Sequence, residues 1–252
     1  MSYKAINLHN RQNQVVSAIA QNNQSLRDAD RHVKYQKMAE SPYSFLRGSN
    51  HLFWEDIYND WRLSLFGGNA DTHTWLQGDA HLYNFGAFAN YDKEVIYGFD
   101  DFDDAIVGDY QYDLWRLAIS LVLDCRENGH FKLKEIAKAV KTLGKAYLKT
   151  ILNDRYNPAV KEIHFTKENT EGKLQKFLKK VAKKETRHKM LDKWTTFNEA
   201  HKRVFDKAAK KLSPLSSEEW EMIVSAFPNY RQTLTGEIPA EDDRYFQIKD
   251  IA

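Results

Sequence analysis

The chain has 252 residues, 42% hydrophobic and 13% aromatic, which is enough to bury a sizeable core and excludes a wholly disordered protein. Its single cysteine, Cys125, excludes an internal disulfide framework and suits a reducing cytoplasm. The net charge of +2 hides an asymmetry: residues 132–211 carry 23 Lys and Arg against 9 Asp and Glu, whereas residues 1–131 carry 11 against 18.

The opening MSYKAINLHNRQNQ lacks the apolar run of a secretory signal, and no segment approaches membrane-spanning length. A cytoplasmic protein is expected. The basic middle segment reads as a solvated helical face. Nucleic-acid binding is not expected, because Phe177, Trp194 and Phe197 fall at helix-core positions and not on a stacking platform. An RNA or acidic partner held by residues 132–211 stays as a rival reading.

In chain order, the first forty residues predict helix with a thin apolar stripe of Val15, Val16, Ile19 and Leu26. Ser41-Pro42 marks a boundary, after which aromatics recur at helical spacing up to Gly67-Gly68. Trp75-Leu76 reads as a short strand. Residues 85–89 and 94–99 read as strands of a hairpin turning at Asn90-Tyr91-Asp92-Lys93. From Asp113 the pattern becomes helical, with apolar residues at 114, 117, 118, 121 and 122 and a stop at Gly129. Further helices are predicted over 132–153, 171–192, 194–212 and 216–227. In the helix over 171–192, Leu174, Phe177, Leu178, Val181 and Ala182 share one face, expected to dock on the helical body, with a membrane surface as the alternative. The last residues, DRYFQIKDIA, read as the start of a strand.

Chemistry concentrates in two stretches. QGDAHLYNFG (77–86) sets Asp79, His81 and Asn84 between two glycines, and YGFDDFDDAIVGDYQYDL (97–114) holds six aspartates. Carboxylates about 4 Å apart repel by about 4 kcal/mol at an effective dielectric of about 20, so gathering them calls for a proton, an arginine or a divalent cation. Oxygen-rich donors with few histidines and no cysteine suit Mg²⁺ or Mn²⁺ better than Zn²⁺. In phosphoryl transfer by protein kinases, an Asp accepts the hydroxyl proton while a downstream Asn and the Asp of an Asp-Phe motif hold metal. Asp79, Asn84 five residues on and Asp101-Phe102 seventeen residues later reproduce that order, with the hairpin between them.

QGDAHLYNFG followed by DDFDDAIVGDYQYDL resembles the aminoglycoside phosphotransferase and choline kinase branch of the kinase-like superfamily. That branch carries an HGDxHxxN loop, an IDF motif and a GDxxYDL segment. Gln77 departs from it where histidine is usual, and Asp103 where glycine is frequent. KMAESPYSFLRG, GDAHLYNFG, DDFDD and YDLWRLAISL are similar, over about residues 31–123, to signatures of an uncharacterised bacterial family, domain-of-unknown-function family 2252. The resemblance implies an α+β, mainly helical fold with a protein-kinase-like catalytic lobe, and ATP as cofactor. The 78 residues before Asp79 contain no G-x-G-x-x-G, nor does any later segment. In the resembled family a glycine-containing, strand-rich segment follows a stretch like YFQIKDIA, which implies a permuted order with the nucleotide-covering lobe downstream and missing or truncated here. The expected organisation is one domain, with a helical part at 1–74, the loop, hairpin and metal motif at 75–124, and a helical part at 125–252.

The expected function is an ATP- and Mg²⁺-dependent phosphotransferase acting on a small-molecule or protein acceptor. Asp79 would be its catalytic base, and Asn84, Asp101 and Asp103 its metal ligands. Each role has a plainer reading: a turn residue for Asp79, a solvent-facing charge for Asp103. Asp100, Asp104 and Asp109 read as peripheral. His81 would orient Asp79 or simply pack. Arg47, beside Gly48 in an expected loop, would bind phosphate or bridge to an internal carboxylate. Asp113 would cap its helix or, as the resemblance implies, brace the catalytic loop, and Arg116 would pair with the aspartate cluster. A metal site on His73 and His81 is a further alternative. Rival functions are a metal-dependent phosphoesterase and a kinase-fold binding protein without transfer activity.

Overall fold

The computed structural model describes residues 8–58, 60–66, 68–160, 163–184, 187–209, 212–234 and 245–251. Met1–Leu178 and Lys179–Ala252 form two compact units, and the fold is α+β and mainly helical. Unit 1 opens with helices α1 (Leu8–Asn22) and α2 (Asp28–Ala39). The predicted stripe on α1 is only partly covered, since Val16 is 61% exposed. At the Ser41-Pro42 boundary, Ser41 Oγ accepts from the Ser44 amide at 3.1 Å and Pro42 takes the first turn of α3 (Pro42–Gly48). The helices α4 (Asn50–Ile57) and α5 (Trp61–Ser64) follow, supplying Phe53, Ile57 and Leu63 to a core that Leu76 and Tyr112 complete. Each such side chain contributes roughly 1.5–3 kcal/mol by leaving water.

Two antiparallel ladders then set the geometry of the middle. Strand β1 (His73–Leu76) pairs with β4 (Ile106–Asp109), Leu76 opposite Ile106. Between them lies the hairpin of β2 (Phe85–Ala89) and β3 (Val95–Phe99), Phe85 opposite Phe99. Its turn is the predicted one: Asn90 Oδ1 accepts from the Glu94 amide at 2.9 Å and Lys93 takes a left-handed φ of 65°. The short β5 (Phe165–Thr166) adds to the β3 edge.

Helix α6 spans Gln111–Glu127, starting two residues before the predicted Asp113. The face it buries is not its apolar one. Gln111, Tyr112, Arg116, Ser120 and Cys125 are buried, while the predicted positions 114, 117, 118, 121 and 122 are only half-buried. Helices α7 (Leu133–Asp154) and α8 (Gly172–Lys184) follow, and on α8 Leu178 is fully buried as expected while Phe177 stays exposed.

In unit 2 the predicted helix over 194–212 is replaced. After α9 (Arg187–Trp194) comes a β-hairpin of β6 (Thr195–Phe197) and β7 (Arg203–Phe205). Asn198 Oδ1 closes its turn by accepting from the Ala200 and Lys202 amides at 3.1 and 3.0 Å, and His201 adopts a φ of 52°. Phe197 is therefore 60% exposed under the Arg203 guanidinium, not in a helix core. Helix α10 (Ser217–Thr233) is capped by Ser216 and Glu219 and outruns its predicted end. Within residues 245–251 no strand forms; Asp250 Oδ2 instead accepts from the Phe205 amide at 2.8 Å.

Candidate functional site

The loop over residues 77–84 is shaped by a glycine and held by α6. Gly78 has a φ of +85°, and its Cα lies so close to residue 104 that a Cβ there would overlap the Asp104 carbonyl oxygen. Asp113 lies inside α6, so it is not the cap. Its carboxylate accepts from the Gln77 and Gly78 amides at 2.7 and 3.0 Å, which is the bracing role. Burial pushes its pKa up, and those two N–H groups oppose the shift. The Gln77 side chain donates to the Asp101 carbonyl, tying the loop to the second aspartate stretch.

Arg116 has no solvent exposure and ends on Asp79, where Nε and Nη2 both reach Oδ1. Nη2 also donates to the Leu46 carbonyl at 3.0 Å, the guanidinium stacks on Phe53 at 5.1 Å, and Nη1 is buried without a partner. Burial lowers the Arg116 pKa and the Asp79 carboxylate pulls it back. His81 is 1% exposed. Its Nδ1 accepts from the Tyr83 amide at 3.2 Å, which places the proton on Nε2, 3.5 Å from Asp79 Oδ2. Asn84 Nδ2 donates to the Asp79 carbonyl at 3.0 Å, leaving Oδ1 as its available donor atom toward a cation. The loop is further held by Ser120 Oγ, which accepts from the Leu82 amide at 3.2 Å.

In the second stretch Asp101 and Asp103 sit side by side. The side-chain hydrogen bond with Asp103 raises the Asp101 pKa, and burial adds to it. Asp104 Oδ2 accepts from Asn50 Nδ2 at 3.0 Å, and Asp109 accepts from Thr72 Oγ1 and from the Gln111 amide at 2.9 Å. Both are scaffold contacts. Asp100 packs against Gly86, where a Cβ would collide with its Oδ2.

Asp79, His81, Asn84 and Asp101 line one cavity of about 720 Å³, and Arg47, Lys34 and Lys37 line it too. Asp103 does not line that cavity. Arg47 belongs to the last turn of α3 and not to a loop, and it makes no internal ion pair among the described residues. His73 lines a different cavity, so a shared site with His81 does not form. Among the described residues no three His, Cys, Asp or Glu side chains are grouped to hold a metal ion. Asn84 and Asp101 bring to the cavity oxygen donors of the kind that a hard cation takes. Lys34, Lys37, Ser120 and Gln77 drew no site role from the sequence, although all but Lys34 lie inside the quoted stretches. Their roles follow from helix register and from the two ladders.

An α+β chain with this loop and cavity finds no match among curated proteins or solved structures. Residues 27–252 match the family described as "Uncharacterized protein conserved in bacteria (DUF2252)", and the chain belongs to that family. Among the described residues no helix is long and apolar enough to cross a membrane.

Proposed function

We propose that this chain binds ATP with Mg²⁺ in the 720 Å³ cavity and transfers the γ-phosphoryl group to a hydroxyl or amine of a small-molecule or protein acceptor. The observation that carries this reading is that Asp79, Asn84 and Asp101 line the same cavity, brought there by the β1·β4 and β2·β3 ladders. In this reading a carboxylate would meet the acceptor while two oxygen donors would face the phosphates. Asp79 Oδ2 takes the acceptor proton, with Oδ1 fixed by Arg116 and the side chain oriented by His81. Asn84 and Asp101 are the residues that would hold magnesium, and Asp103 shares a side-chain hydrogen bond with Asp101. When bound, the metal neutralises charge on the phosphate oxygens. The phosphoryl group passes to the acceptor oxygen or nitrogen, ADP leaves, and the proton ends on Asp79.

One observation favours a second reading, a nucleotide-binding protein without transfer activity. Asp79 already has Arg116 on one oxygen and His81 beside the other. Calorimetric titration of ATP with Mg²⁺ into the chain and into Asp101→Ala, followed by assay for ADP release, separates the two. Metal-dependent binding that Asp101→Ala abolishes, together with ADP release, supports transfer. The same binding without ADP release supports the second reading, and no binding removes both.

A further inference from the structure

Helix α7 carries a face that the fold leaves bare. Of its 22 residues only Ile136 is buried, and Val140 and Leu143 line an apolar pocket with Leu114 and Trp115 of α6. Away from that side, Lys134, Lys138, Lys141, Lys145 and Lys149 recur at steps of four, three, four and four. At about 100° per residue they fall within about 80° of arc, and all are exposed. None of them makes an ion pair among the described residues. The two carboxylates of the helix are engaged locally: Glu135 accepts from the Lys132 amide at 2.8 Å and Asp154 from Asn157 Nδ2 at 3.4 Å. Beside the lysine row stand Leu148, Ile151 and Leu152, each more than half exposed, and Tyr156 just past the helix is 83% exposed. The Arg155 guanidinium lies over the Tyr156 ring at 4.6 Å. On α8, the other lysine-rich helix, the fold covers the apolar side at Leu178.

We propose that the C-terminal half of α7 is a docking surface for an anionic lipid bilayer. Leu148, Ile151, Leu152 and Tyr156 enter the headgroup boundary, and Lys141, Lys145, Lys149 and Arg155 meet the anionic headgroups. A helix lying in a membrane interface draws on both features that stand side by side here, exposed apolar area and cations that anionic lipids attract. Lysine stems run along apolar surface while their charges stay in the wet layer, and tyrosine favours the same level. Among the described residues no helix is long and apolar enough to cross a membrane, so the contact is peripheral. Residues 132–211 carry 23 Lys and Arg against 9 Asp and Glu, so the long-range attraction has the same sign as the local one. A second copy of this chain fits the face poorly, because a symmetric contact brings two lysine rows to one interface. A nucleic acid answers the lysines alone and leaves Leu148 and Ile151 in water. None of these residues lines the 720 Å³ cavity, so the inference does not rest on phosphoryl transfer.

The test is co-sedimentation of the whole chain with vesicles of phosphatidylcholine alone and of an equal mixture of phosphatidylcholine and phosphatidylserine. It is repeated with Lys145→Gln/Lys149→Gln, with Leu148→Ser/Ile151→Ser and, as a control of equal charge change, with Lys202→Gln/Lys207→Gln. All six positions are exposed, and circular dichroism checks that each variant keeps the parent helix content. Binding to the mixed vesicles and not to phosphatidylcholine alone is expected, weakened roughly tenfold or more by each of the two α7 pairs. The control pair is expected to bind like the parent chain. No binding to the mixed vesicles, equal weakening by the control pair, or binding that Leu148→Ser/Ile151→Ser leaves unchanged overturns the proposal. Sedimentation velocity without lipid reads one rival: a dimer that Leu148→Ser/Ile151→Ser dissociates gives the face to a second copy and overturns the proposal. Salt-dependent binding of polyuridylate through the same lysines, in place of vesicles, gives it to a nucleic acid and overturns it equally.

Discussion

Arg116, without any solvent exposure, and Asp79, on the wall of the main cavity, form one buried ion pair, so the residue proposed to meet the acceptor is also a structural counter-charge. Removing one member of such a pair leaves the other uncompensated, which costs about 3–5 kcal/mol. Arg116→Ala is therefore expected to lower unfolding free energy by about that amount in urea titrations. A loss under about 1 kcal/mol would show that the pair is not closed in solution.

The same pairing bears on Asp79→Asn. From sequence alone, the change should lower turnover with little effect on stability. With Arg116 as its partner, Asp79→Asn should do both: reduce ADP release by a factor of about 10²–10⁴ and cost about 2–4 kcal/mol of stability. Full activity in a folded Asp79→Asn protein would exclude Asp79 from the chemistry.

Two glycines should respond to alanine with opposite signs. At Gly78 the left-handed backbone, and the Asp104 carbonyl standing where a methyl would go, make Gly78→Ala destabilising by about 2–4 kcal/mol. Gly144, in α7 with nothing within 4 Å of an added Cβ, should gain about 0.5–1 kcal/mol. Thermal unfolding of both variants checks the pair, and a stable Gly78→Ala protein would contradict the close approach.

Burial holds the His51 imidazole below its ordinary 6.5; Glu55 opposes that shift and Lys34 adds to it. Below the ordinary value the unfolded chain binds a proton that the folded chain refuses. The stability His51 contributes is thus complete above 6.5 and is lost as pH falls through it. An NMR titration should place the His51 midpoint below 6.5, higher in Lys34→Gln and lower in Glu55→Gln. A midpoint at or above 6.5 would mean that the imidazole is open to water.

Local chemistry made much of the site legible. Ser41-Pro42 and the turn at residues 90–93 carry their own caps and φ preferences, and the β2–β3 hairpin followed from them. Asp79, His81, Asn84 and Asp101 were marked by spacing, and they line the same cavity. Periodicity failed where burial is polar. On α6 the inward positions are Arg116 and Ser120, chosen for hydrogen bonds to the loop, so an apolar count points to the wrong face. The β6–β7 hairpin was lost because charged residues at helical spacing outweighed Thr195-Thr196 and the Asn198 turn. Nothing local distinguishes Lys34 from the other lysines, since only the packing of α2 beside α3 brings it to Arg47.

Helix α6 touches the loop and α3 at five separate points: Asp113 on Gln77 and Gly78, Arg116 on Asp79 and Leu46, Ser120 on Leu82, Asp124 on Tyr83, and Glu127 on Tyr43. These contacts recur along one side of the helix from Asp113 to Glu127. A rotation or one-turn slip of α6 would break all of them together, so the loop has no part that can melt alone. The amides of Gln77, Gly78 and Leu82 should then exchange with deuterium in step with α6 itself, as one cooperative unit.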